Sequence, residues 1–127
     1  MDIKIMRDEF KRILSLVDFS RTSLHALEEA ALIASKFNSE LHLLYVASNS
    51  EPLNMSGDSK SQQNNKERLE DLKKTLQGRY EVIINCHEAK GKIIEVVNKY
   101  SCDLSINLVV LAAKKEPWLK EMFFEST

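Results

Sequence analysis

The side chains best suited to chemistry are three histidines and two cysteines, and their spacing argues against most catalytic uses. His25 stands four residues before Glu29, so on a helix the two share a solvated face. His42 lies inside an apolar run, with no Cys, Asp or second His at metal-ligand spacing, which marks it as structural. Cys86 and His87 are adjacent. On a strand they point to opposite faces and cannot form a nucleophile–base dyad with each other. Cys86 and Cys102 make no C-x-x-C pair and read as buried thiols of a reducing compartment. No paired carboxylates stand at a strand end, and no cluster has metal-ligand spacing. The expectation is therefore a protein that is not an enzyme, with no metal and no catalytic residue.

The elements fix which polar residues can meet. Arg12–Val17 is an apolar run that stops at Asp18 and Ser20. It has the two-sided apolar character of a covered central strand. Ser20 suits an N-cap. Leu24, Leu27, Ala31 and Ala34 then follow a helical period, widened by Ala30, Ile33 and Phe37. Asn38 can end that helix in a left-handed conformation. Leu41–Val46 is a second strand. Strand, helix and strand within about 36 residues form one βαβ crossover.

The rest of the chain hangs on that unit. Residues 47–65 are polar and aperiodic, and predict a surface loop. Leu69, Leu72 and Leu76 predict a helix over 66–77, with Gly78 at C′. A third strand is predicted over 81–86. Gly91 precedes a third helix carrying Ile93, Val96, Val97 and Tyr100. A fourth strand centres on Leu108–Leu111, and Pro117 opens a short helix with Leu119, Met122 and Phe123 inward. This order predicts an α/β fold, an open and mostly parallel sheet with helices on both faces. Ligands of such sheets lie outside the carboxyl ends of the strands, where strand order reverses. The candidate floor is Asp18–Ser20, Val46–Ser48 and Ala112–Lys115.

Composition narrows the partners. The 127 residues suit one domain, and the formal net charge of −1 gives no electrostatic reason to expect nucleic acid. No apolar run reaches the length of a membrane span, and the first ten residues are too charged for a signal-peptide core. A cytoplasmic protein, with no nucleic-acid or membrane partner, is the default expectation.

The ordered set of segments resembles the universal stress protein (UspA-like) family. The match is Lys-Arg-Ile-Leu-Ser-Leu-Val-Asp-Phe-Ser at 11–20, Ala-Leu-Glu-Glu-Ala-Ala at 26–31 and Glu-Leu-His-Leu-Leu-Tyr-Val at 40–46. It continues with Gly91 and with Asn-Leu-Val-Val-Leu-Ala at 107–112. The resemblance implies a five-stranded sheet, order 3-2-1-4-5, of the adenine nucleotide alpha hydrolase-like kind. Many members of the family bind ATP through G-x2-G-x9-G-(S/T) after the fourth strand. In this sequence the spacing is kept and the glycines are replaced: Ala112, Lys115 and Glu125 stand at their positions, and Ser126 keeps the hydroxyl. The resemblance also assigns Asp18 to the acidic residue ending the first strand, and Val46 to the position whose backbone meets adenine. The vestigial nucleotide site is thus Asp18, Val46, Ala112, Lys115 and Ser126.

The replacements have physical consequences. Glycines let backbone amides approach phosphate and adopt positive φ. A carboxylate at 125 repels phosphate, by about 4 kcal/mol for two unit charges about 4 Å apart at an effective dielectric of about 20. The expectation is no cofactor and a regulatory or interaction role in stress response, without the usual mode of ATP binding. An adenine-nucleotide switch is the alternative.

By the family pattern, a last helix and fifth strand should follow Ser126. A single, C-terminally incomplete domain is expected on that basis. An uncovered edge at the fourth strand would then invite a protein partner or self-association, through Leu108–Leu111 or Trp118–Phe124.

Overall fold

The computed structural model describes residues 11–47 and 59–112, the side chains of 59–63 excepted. The element order is β1 (Arg12–Leu16), α1 (Arg21–Phe37), β2 (Glu40–Ala47), α2 (Ser59–Arg79), β3 (Ile83–Lys90), α3 (Ile93–Asp103) and β4 (Leu108–Val110). The four strands form one parallel sheet in the order β3-β2-β1-β4. The α/β architecture read from the sequence is the one observed.

Each end of α1 has a local cause. Ser20 is extended at φ −74° and its hydroxyl accepts from the Ser23 amide at 3.2 Å. At the other end Asn38 is left-handed, at φ 59°. Between them, Leu27, Ala30, Ala31 and Ala34 are buried against the sheet. Small side chains bring the helix axis close to the strands.

The sheet separates two cores. On one face Ile13, Val17, Leu41, Leu43 and Ile84 pack with α1 and with Leu69 and Leu76 of α2. On the other, Leu14 and Leu44 pack with Val96 and Val97 of α3. Full burial of a Leu side chain contributes about 1.5–3 kcal/mol, so the first core dominates. The switch point lies between β1 and β4: the chain runs outward from β1 through β2 to β3, then crosses back.

Four details differ from expectation. α2 begins at Ser59, seven residues before the predicted start. Lys60, Gln62 and Gln63 have no apolar stripe, but straight-chain residues propagate a helix once its later turns are anchored. Gly78 is inside that helix and not at C′. β3 extends to Lys90, because Tyr45–Ala47 of β2 supply partners for Glu88–Lys90. Cys102 is exposed and Cys86 half-buried, so only Cys86 approaches the expected buried thiol. The predicted helix after Pro117 lies outside the described residues. No helix among the described residues is long and apolar enough to cross a membrane.

Candidate functional site

The carboxyl end of β1 is a tight turn built from three side chains. The Val17 amide still donates to the Leu44 carbonyl at 2.9 Å, extending the pairing beyond β1. The chain then reverses at Phe19, whose φ is 64°. A bulky residue in that conformation is strained unless its neighbours impose it. They do so here. Asp18 Oδ1 accepts from the Ser20 amide at 2.9 Å and from the Ser20 hydroxyl at 2.6 Å. The Asp18 amide donates to Ser23 Oγ at 3.0 Å, and that hydroxyl donates to the Leu16 carbonyl at 3.4 Å. Asp18 is thereby fixed at the mouth of the switch point, with its residue exposed.

Val46 stands near the end of β2, in register with Ala89, and is half-buried against the α3 core. One residue on, the Ala47 carbonyl accepts from the Gly91 amide at 3.0 Å. Gly91 adopts φ 139°, a conformation that side chains rarely take, so glycine is required there by backbone geometry. Ala112 follows β4 and is half-buried. Since Ser15 pairs with Val110, the segment leading to Ala112 runs beside the one leading to Asp18. Asp18 and Ala112 thus flank the switch point, with Val46 across β1 from Ala112. Lys115 and Ser126 lie outside the described residues, as do Lys114, Glu125 and Trp118–Phe124.

Sequence reasoning missed an aromatic and cationic group beside this turn. Phe19 packs on Tyr45, ring centroids 5.4 Å apart and tilted by 38°. The Arg68 guanidinium carbon lies 3.8 Å from the Phe19 centroid. Such contacts contribute about 0.5–1 kcal/mol at exposed sites. They also bring a permanent cation from α2 to the carboxyl edge of β1. Arg68 belongs to a helix rich in charges of both signs, and nothing in the spacing sets it apart.

A second missed group lies lower on the α3 face. His42 Nδ1 is 2.9 Å from His87 Nε2, and the rings are stacked with centroids 5.1 Å apart. His42 Nε2 is 3.2 Å from Glu40 Oε1, which is 3.5 Å from Arg12 Nε. Tyr100 of α3 sets its ring edge-on to His87 at 5.4 Å, and its hydroxyl donates to the Glu88 carbonyl at 3.4 Å. Burial first, and the neighbouring His42 second, hold His87 below the ordinary histidine range. The pairing is invisible in sequence because the partners are separated by 45 residues. It exists because β2 and β3 set His42 opposite Asn85 and Leu44 opposite His87, a diagonal on one face. Among the described residues no group of three or more His, Cys, Asp or Glu side chains is placed to hold a metal.

The comparisons with known proteins agree with this architecture. The profile described as "Universal stress protein family" matches residues 9–127. A universal stress protein family structure from Burkholderia pseudomallei superposes with a TM-score of 0.71 at 19% identity, covering 83% of each chain. Universal stress protein UspA from Lactobacillus plantarum gives 0.60 at 21% identity, over 85% of this chain and 81% of its own. A universal stress protein solved in complex with cAMP gives 0.63 at 14% identity, over 79% and 70%. No curated protein sequence matches. With the profile spanning nearly the whole sequence, the chain belongs to the universal stress protein family.

Proposed function

We propose that this chain is a non-catalytic regulatory or interaction domain in stress response, whose switch-point crevice does not take ATP in the usual way. The observation that carries this reading is Ala112 beside the switch point, where the family's nucleotide pattern has its first glycine. A methyl group at that position holds the backbone away from a phosphate. Lys115 and Glu125 replace the other two glycines. The domain would act in the cytoplasm through a protein partner or a second copy. Leu108–Val110, at the β4 edge of the described sheet, supports the second possibility.

Titration calorimetry with Mg-ATP, on this chain and on Glu125→Gly, tests the reading. Binding in neither, or only in the variant, is expected. Tight binding by the unaltered chain overturns it. A melting series gives an independent readout, since a ligand at 100 times its Kd adds about 2.7 kcal/mol.

A second reading, an adenine-nucleotide switch, is favoured by the intact Asp18 turn. The relative in complex with cAMP suggests the ligand to try. A cyclic monophosphate carries less charge than ATP and makes smaller demands on a glycine cradle. Binding of cAMP without ATP would support this reading over the first.

A further inference from the structure

His42 is 5% exposed, and its ring is bound on both nitrogens. A carboxylate oxygen accepts, so His42 Nε2 carries hydrogen and donates to Glu40 Oε1. The remaining His42 nitrogen, Nδ1, is then the acceptor, and His87 Nε2–H is the donor. This arrangement accommodates one added proton, on the outer Nδ1 of His87, which leaves the His87 Nε2–H donor facing His42 Nδ1. It does not accommodate two. A second proton puts N–H against N–H at 2.9 Å, between two cations, and the rings must separate.

Glu40 of β2 faces His42, with Arg12 of β1 behind it. Tyr100 is the one titratable residue of α3 in contact with His87. Lys92, beside α3, and Glu95, Lys99 and Asp103 on it are exposed. Glu88 and Lys90 alternate to the other face of β3. Tyr100 is therefore seated on a ring whose position depends on proton count.

We propose that the His42–His87 pair is an acid-sensitive latch for α3: it stays closed with at most one added proton and opens on the second, unseating Tyr100 and loosening α3. α3 leads directly into β4, so the opening reaches the segment that flanks the switch point.

The test uses the full chain between about pH 7.5 and about 5. Native-state hydrogen exchange is followed at the amides of Val96, Val97 and Tyr100, with those of Leu27 and Ala31 in α1 as reference. The opening equilibrium of α3 is expected to rise about tenfold per pH unit through the second step, the slope of a one-proton linkage. α1 should not follow. In His87→Phe, which keeps a ring against Tyr100 but cannot be protonated, the slope should vanish. A flat wild-type profile, or the same slope in the variant, overturns the latch. NMR titration of the wild-type histidines serves if the variant does not fold. Two coupled steps are expected, and two independent titrations near the ordinary value overturn the proposal.

Discussion

Arg12 and Asn107 exchange two hydrogen bonds: the Arg12 amide donates to Asn107 Oδ1 at 2.8 Å, and the Asn107 amide donates to the Arg12 carbonyl at 2.8 Å. The side chain of Asn107 thus completes a ladder that β4 is too short to complete with backbone alone. Asn107→Ala should lose about 1 kcal/mol, read as a lower denaturant midpoint at unchanged slope. Asn107→Asp keeps the acceptor and should stay near the parent. Equal losses in both variants would assign the effect to something other than this bond.

Ser20 has two tasks, capping α1 and holding Asp18. Ser20→Ala is expected to cost about 1 kcal/mol through the cap. Ser20→Thr should recover most of it, because the hydroxyl is retained. Thermal melts of the three proteins check the order.

Ser15 is fully buried in the central strand, and its hydroxyl has no hydrogen-bond partner. Desolvating a hydroxyl without compensation is unfavourable. Ser15→Ala should therefore be neutral or more stable, by up to about 1 kcal/mol. A clear loss of stability would show that the hydroxyl has a partner in solution.

The two thiols should separate cleanly on labelling. Cys102 is exposed, whereas burial, followed by the Glu70 charge, pushes the Cys86 thiol up to about 11. Cys86 also donates to the Leu69 carbonyl at 3.6 Å. At neutral pH it is protonated and a poor nucleophile. One fast and one slow thiol are expected, the slow rate climbing with pH toward about 11. Two equal rates would contradict this placement.

Global stability should carry the sign of His87. Its folded-state value is lowered by burial, so the unfolded chain takes up the proton first. That contribution is fully present above the ordinary histidine value of about 6.5 and is lost as pH falls toward the lowered one. A Tm series should fall across that window in the parent and fall less in His87→Phe.

Much of the fold was legible because it depends on local chemistry. The apolar runs at Arg12–Val17 and Leu41–Val46, the Ser20 cap and the Asn38 stop each act within a few residues. The start of α2 was not legible, since Ser59–Asn65 lacks the apolar stripe by which helices are recognised. At the candidate site, Asp18 follows directly from where β1 ends. Arg68 over Phe19 and His42 beside His87 were hidden because each depends on how distant segments register across the sheet. His42 looked isolated in sequence for that reason alone.

β2 and β3 pair over eight residues each, while β4 contributes three to its ladder with β1 among the described residues. The crevice therefore sits over the shortest seam of the sheet. Local opening should begin at that seam, with β4 parting from β1 while β2 and β3 stay zipped. A small molecule or protein seated across Asp18 and Ala112 would act as a suture. Its occupancy would be felt as cohesion along the whole β1–β4 boundary.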